Sequence, residues 1–304
     1  MKTALHTISY GGVWAGQARL RLEEIVAKAV ELGFDGLLLA AKRPHLSPLD
    51  YDTGACAELR KTIQRSGLEV CALAAYTDFT ANPERPDVPT AEMQAVALRR
   101  LGEMASELEC PVIRVFTGYE RAGLPADRAW ATCVHWLRES ARQVAPLGVT
   151  LAVQNHHDIA VHYESMAALL EEVGESNCRA GFDAWNLSEV ATDAYEAALK
   201  MAPITALTIA ADYVRRPRFR YRPDLVSYEP DQASLQAVPF GEGEVDYPSF
   251  FRGLFEGGYD GPIAYEMCSP LEGGGSLENL DRYARTFLSR IAEMAPSPTA
   301  RALT

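Results

Sequence analysis

The chain has 304 residues and a formal net charge of −12, with 48% hydrophobic and 23% charged residues. That composition suits a globular protein with a large buried core. The charge argues against nucleic acid, whose phosphates need a Lys/Arg surplus, and no apolar run reaches the length of a membrane span. Six scattered cysteines form no CxxC pair, so neither a zinc ribbon nor a disulfide framework is expected, and a cytoplasmic location follows as the expectation.

In chain order, a helix–Gly–strand unit repeats. A first strand is expected over residues 5–8. Leu22, Ile25, Val26, Ala29 and Leu32 share one helical face, Gly33 ends that helix, and 34–39 is a buried strand. Leu59, Ile63 and Gly67 repeat the pattern before a strand over 69–75. Helices over 91–108 and 130–144 precede strands over 111–116 and 150–153. Helices over 163–173 and 189–201 precede strands over 180–182 and 204–209. A helix over 248–255 precedes a strand over 262–265, and a helix over 277–294 closes the chain. Eight strands in units of roughly 35 residues predict a single (β/α)8 TIM barrel over 1–295. A Pro/Ser/Ala tail over 296–304 is expected to be frayed. The alternative, a doubly wound open sheet, would want a GxGxxG first turn, and Gly11-Gly12 is not one.

Loops that follow strands are long and polar or aromatic: 10–19, 42–52, 77–89 and, above all, 212–246. Barrel enzymes build their sites from such loops on the C-terminal face. The 212–246 excursion is read as either a lid or a dimer arm.

The chemistry concentrates where apolar strands break into polar residues: Leu151-Ala-Val-Gln154-Asn-His156-His157-Asp158, Phe182-Asp183 and Ile263-Ala-Tyr-Glu266. Strand alternation places Ala152, Gln154 and His156 on one face, Gly181 and Asp183 on another, and Ala264 and Glu266 on a third. Gln154, Asp183 and Glu266 are therefore predicted to point into the barrel mouth. A lone buried carboxylate is costly, so the cluster needs a metal, an arginine or a substrate hydroxyl; a structural network tying the strand ends is the alternative.

Gly33-Phe-Asp-Gly36, Leu151-Ala-Val-Gln-Asn-His156, Gly181-Phe-Asp183, Gly241-Glu-Gly-Glu-Val-Asp-Tyr247 and Pro262-Ile-Ala-Tyr-Glu266 together resemble the sugar-phosphate isomerase/epimerase family, the xylose-isomerase-like and AP-endonuclease-type barrels. The resemblance implies a divalent metal (Mn, Mg or Co) held by Glu, Asp, His and Glu at the ends of strands five to eight. Here the matching positions are Gln154, Asp183, Thr208 or Ile209, and Glu266. The Glu common on the second strand is Leu38. An amide oxygen is a poorer ligand than a carboxylate, and neither Thr nor Ile replaces an imidazole. The retained candidates are Gln154, Asp183 and Glu266, with His156 as a conceivable fourth ligand.

In the family's epimerases, metal-bound carboxylates also move the proton next to the carbonyl. Gln154 has no useful pKa for this, whereas Glu266 and His156 do, so Glu266, His156 and Asp183 are the catalytic candidates. Gln154, Asn186, Arg215, His45 and Trp14 are the candidates for substrate contact. Arg215 suits bidentate recognition of an anion or diol, although a solvated loop or subunit contact would use it too; Asn186 would equally serve as the next helix's N-cap. His157, of opposite parity to His156, is expected to hydrogen-bond a neighbouring loop. His45 lies in the Lys42-Arg43-Pro44-His45 loop, and Trp14, Tyr76, Phe79, Phe116 and Trp185 can stack on a sugar face or fill the core. Gly273-Gly-Gly-Ser276 offers free backbone N–H groups as an anion seat. The expected function is a sugar or polyol isomerase or epimerase acting by proton transfer alpha to a carbonyl, in a homo-oligomer. The alternatives are a sugar-binding protein or partner subunit without catalysis, and a dehydratase or C-glycoside deglycosylase of the same family.

Overall fold

Eight parallel strands close into a barrel in the order β1-β10-β7-β6-β5-β4-β3-β2, in a computed structural model that describes residues 2–190 and 193–295. The strands are β1 (Lys2–His6), β2 (Gly36–Ala40), β3 (Glu69–Ala74), β4 (Val112–Val115), β5 (Thr150–Gln154), β6 (Cys178–Asp183), β7 (Thr205–Ala210) and β10 (Pro262–Tyr265). Around them lie α1 (Leu22–Leu32), α2 (Thr53–Arg65), α3 (Thr90–Glu107), α4 (Ala126–Val144), α5 (Tyr163–Val173), α6 (Ala184–Glu189), α7 (Ala194–Met201), α8 (Tyr247–Glu256) and α9 (Leu277–Met294). The expected (β/α)8 barrel is the observed one. The expected tail, 296–304, lies outside the described residues.

Two apolar layers follow from the strand period. Outward residues such as Leu37, Leu39, Ile113, Val115, Leu151 and Val153 pack against the helices. Inward residues are small: Ala4, Ala72, Ala74, Ala152 and Ala264 surround Leu38, Leu207 and Ile209. A closed barrel fills its own interior with side chains, and here the small lower layers leave the larger polar groups to the strand ends above them.

The sequence motifs have local tasks. Gly33 ends α1 in the left-handed region (φ 93°), and Asp35 accepts from Thr3 N and Oγ1 at 2.8 and 2.9 Å, pinning the entry of β2 to β1. The first strand ends at His6, and Thr7 and Ile8, expected as strand, begin a 3-10 turn that runs to Tyr10. Of the helix expected over 189–201, α7 covers Ala194–Met201, and a further short helix, α6, precedes it over Ala184–Glu189. Asp183 caps α6 by accepting from Trp185 N, and Asp193 caps α7 by accepting from Glu196 N. Asn186 is therefore not the cap.

The 212–246 excursion is an antiparallel hairpin, β8 (Asp212–Arg222) with β9 (Ser227–Val238). Its base is built on a nest of amides. Asp212 Oδ2 accepts from Gly241 N and Gly243 N, both at 2.9 Å. Asp246 caps α8, and the Tyr247 hydroxyl donates to Ala211 O and accepts from Ala211 N. These contacts account for the spacing of Gly241-Glu-Gly-Glu-Val-Asp-Tyr247. Along the hairpin, Phe219 faces Pro230 and Tyr221 faces Tyr228, all on one side by strand alternation, and the three aromatic rings are 48–69% exposed. Arg220 pairs across to Glu229, and Arg222 Nη1 donates to Glu229 at 2.9 Å on the charged side.

Candidate active site

A cleft of about 420 Å³ opens at the C-terminal end of the barrel, lined among others by Lys42, Tyr76, Arg114, Phe116, His156, His157, Glu266 and Cys268. It lies over strands β1 to β5 and β10, and takes no residue from the hairpin.

Glu266 follows β10, in step with Ala264, and reaches the cleft as the parity argument required. Its Oε2 lies 3.8 Å from His6 Nε2. Burial works against its charge, but His6, Arg114 and His156 outweigh that effect and hold the carboxyl below the ordinary value of 4.5. Glu266 is thus ionised at neutral pH and suited to accept a proton.

His156 is exposed to the same cleft. Burial of the ring holds its pKa below 6.5, with Glu266 pulling the other way. Its Nδ1 is 3.0 Å from Nδ1 of His157, so one of the two rings must carry its proton there. His157 lies between Phe116 (4.2 Å, 17°) and Tyr119 (3.9 Å, 20°). This corrects the expected bond to a neighbouring loop: the stacked ring fixes His156 instead. Burial, followed by the neighbouring His156, pushes His157 down to about 3.

Asp183 points inward beside them but is shut off. Its Oδ2 accepts from Gln154 Nε2 at 2.7 Å and Asn186 Nδ2 at 3.1 Å, while Oδ1 accepts from Trp185 N at 2.8 Å. Asn155 brackets its backbone, donating to Asp183 O and accepting from Asp183 N. Burial nevertheless pushes the Asp183 carboxyl up to about 7. Gln154, Asp183 and Asn186 are all buried and contribute nothing to the cleft lining. Gln154 and Asp183 point inward as strand parity required, but instead of joining Glu266 in the cleft they cross-link β5, β6 and α6 with Asn186.

The residues present do not fit a divalent ion. The amide nitrogen of Gln154 faces Asp183 and leaves its oxygen buried without a donor. On the seventh barrel strand, Ile209 packs inward level with Asp183 and Ala264, while Thr208 Oγ1 donates to Phe182 O. Among the described residues, no group of three or more His, Cys, Asp or Glu is arranged to hold a metal. A metal would meet Glu266, one neutral amide oxygen and a carboxylate already accepting three hydrogen bonds.

Other expected contacts lie elsewhere. Arg215, on β8, donates to Glu189 and Glu244, both at 2.5 Å, and braces the hairpin base against α6 rather than entering the cleft. His45 is buried with Nε2 3.4 Å from Leu20 O. Trp14 packs under Gly275, where a Cβ would overlap its ring. Asn279 Nδ2 donates to Glu272 O and Gly274 O at 3.0 and 2.6 Å, Gly274 N donates to Leu271 O, and Ala18 N donates to Gly275 O, so Gly273-Gly-Gly-Ser276 is a turn tied to the first loop and to α9.

Arg114 and His6 were not among the sequence candidates. Arg114 is the one charged residue in an apolar strand, Val112–Val115, and takes the inward parity of Val112. That pattern, a buried charge without a stated partner, could have marked it. Its guanidinium lies 4.1 Å from the Phe116 ring centre and 5.0 Å from that of Tyr76. His6, inward with Ala4 on β1, is held at about 3 by burial. Among the described residues no helix is long and apolar enough to cross a membrane.

The family description "Xylose isomerase-like TIM barrel" matches residues 26–289. A ketose 3-epimerase of Arthrobacter globiformis is 26% identical over 269 residues, covering 86% of this chain and 82% of the relative. Among solved structures, a D-psicose 3-epimerase determined with D-fructose superposes with a TM-score of 0.75 at 18% identity, covering 97% and 99% of the two chains. The probable 3-DHS dehydratase from Bacillus anthracis gives 0.72 at 16% identity, covering 96% and 99%. At such identities the superpositions speak for fold alone; the match over residues 26–289 carries the assignment, and the chain belongs to the xylose isomerase-like TIM-barrel family.

Proposed function

We propose that the protein is a sugar isomerase or epimerase-type enzyme that moves a proton alpha to a carbonyl. The observation that carries this reading is the ionised Glu266 sharing one cleft, within electrostatic reach, with the ring-braced His156. The relationship to a ketose 3-epimerase supports the substrate class. In this reading Glu266 takes the proton from the carbon next to the carbonyl. The C–H electron pair becomes the enediol double bond, and the carbonyl π pair moves onto oxygen. With His157 Nδ1–H donating to His156 Nδ1, the other nitrogen of His156 carries its proton and protonates that oxygen. Return of the proton by Glu266 to the neighbouring carbon, as the hydroxyl on the first carbon gives its proton to His156 and becomes the new carbonyl, gives the isomer. For the epimer the oxygen hands its proton back to His156 as the carbonyl re-forms, His156 delivers that proton to the opposite face of the first carbon, and the substrate proton left on Glu266 returns to His156 through solvent. No step uses a metal, because the donor set does not fit one.

A lyase acting on a hydroxyl beta to the carbonyl is the second reading, favoured by the same acid–base pair and by the dehydratase among the fold's neighbours. Incubation with ketoses and sugar acids in D2O, after chelator treatment, tests both. Deuterium uptake without loss of water marks the isomerase or epimerase, whereas uptake with loss of a hydroxyl marks the lyase. Glu266→Gln should lower uptake by about 10²-fold or more. Unchanged uptake in that variant removes Glu266 as the base.

A further inference from the structure

Arg114 is 1% exposed, on the wall of the cleft. Its Nη1 donates to Ala75 O at 3.2 Å. Its Nε is buried without a partner, and among the described residues no carboxylate lies within 4.0 Å of the guanidinium. A buried cation in that state is costly, and the flanking rings of Phe116 and Tyr76 prevent it from swinging away. Lys42 is a second cation on the same wall, 3.6 Å over the Tyr76 ring. Against these two charges the cleft sets Glu266. Its other carboxylate, Asp78, is taken up by the ion pair with Arg121.

Resting on the reading above, we propose that Arg114 and Lys42 form a carboxylate seat, so that the substrate is a sugar acid carrying one negative charge. Two cations against Glu266 leave one positive charge over, in a protein whose net charge is −12. A monoanion neutralises the cleft. Proton transfer to Glu266 moves charge within the cleft without changing its sum, so neutrality holds through the reaction. The unpartnered Nε–H is a charged donor without an acceptor, and a guanidinium hydrogen-bonds and pairs strongly with a carboxylate. The seat supplies the fixed positive charge that the metal position lacks here, where Gln154 and Ile209 stand.

The test is calorimetric titration of the full chain, chelator-treated, with D-gluconate, sorbitol and fructose 6-phosphate as probes. Gluconate should bind at least about tenfold more tightly than sorbitol and weaken as salt rises. Arg114→Met should lose about tenfold or more of that affinity. Lys42→Met, at a half-buried site, provides the same reading should the Arg114 variant fold poorly. Absence of saturable gluconate binding, equal binding of sorbitol, unchanged affinity in both variants, or binding that appears only with added Mn²⁺ would each overturn the seat. Tighter binding of the phosphate ester overturns the carboxylate assignment. The outcome is separable from that of the proposed reaction. Gluconate binding without deuterium uptake on any sugar keeps the seat and removes the reaction; uptake on neutral ketoses without gluconate binding does the reverse.

Discussion

Asp183 and His157 show how burial sets opposing pH dependences a few ångströms from one site. Asp183 titrates at 3.8 when unfolded and is raised to about 7 when folded, by burial against the three donors on its oxygens. Between those values the folded chain binds more protons than the unfolded one, so this group lowers stability as pH rises from about 4 to 7. His157 runs the other way. Its folded value of about 3 lies below its ordinary 6.5, so stability is lost as pH falls through that interval, and His6 adds to the same limb. Melting temperatures from pH 4 to 7.5 should therefore separate the two. Asp183→Asn should lose the decline towards neutrality, and His157→Phe, which keeps a ring between Phe116 and Tyr119, should soften the acid decline. Slopes identical to those of the parent chain would contradict both assignments.

The hairpin base shows how an element is positioned by backbone rather than by side-chain packing. Asp212 collects the amides of Gly241, Gly243 and, at 3.4 Å, Val245. A Cβ at Gly243 would overlap the Asp212 carboxylate and the Tyr213 carbonyl, neither of which can retreat without breaking those bonds. Gly243→Ala is expected to cost about 1–3 kcal/mol, in line with overpacking of a filled site, measured by denaturant unfolding. It should leave gluconate affinity within about twofold, because the hairpin contributes nothing to the cleft. A stability change within ±0.5 kcal/mol, the usual range for a free surface position, would show that the nest is not holding the arm.

For the whole molecule, the hairpin is the feature that a self-contained barrel does not need. A two-stranded ribbon is marginal in water by itself, and this one leaves Phe219, Tyr221 and Tyr228 exposed on one side. Used as a dimer arm, it should give a two-subunit sedimentation coefficient that falls to the monomer's in the triple Ser variant at these positions. A sedimentation coefficient unchanged by the substitutions removes that use. The hairpin contributes no residue to the lining of the cleft.

How much of this was legible in the sequence divides by the range of the interactions. Periodicity and helix-ending glycines such as Gly33 determined the eight-stranded barrel, because each βα unit is specified by contacts within about 35 residues. Strand parity alone turned Gln154, Asp183 and Glu266 inward, since a period of two is a property of the local backbone. The sequence could not assign their partners. Whether Asp183 met a metal or three donors depended on the side chains of Gln154 and Asn186 and the amide of Trp185. Whether Arg215 faced substrate depended on Glu189 and Glu244, brought together by the folded hairpin. Arg114 passed as part of an apolar strand until the barrel closed and set it beside Tyr76, Phe116 and Glu266. Location along a strand is local chemistry, but charge compensation across a barrel mouth exists only once eight separate segments have met, and there the tertiary structure decided.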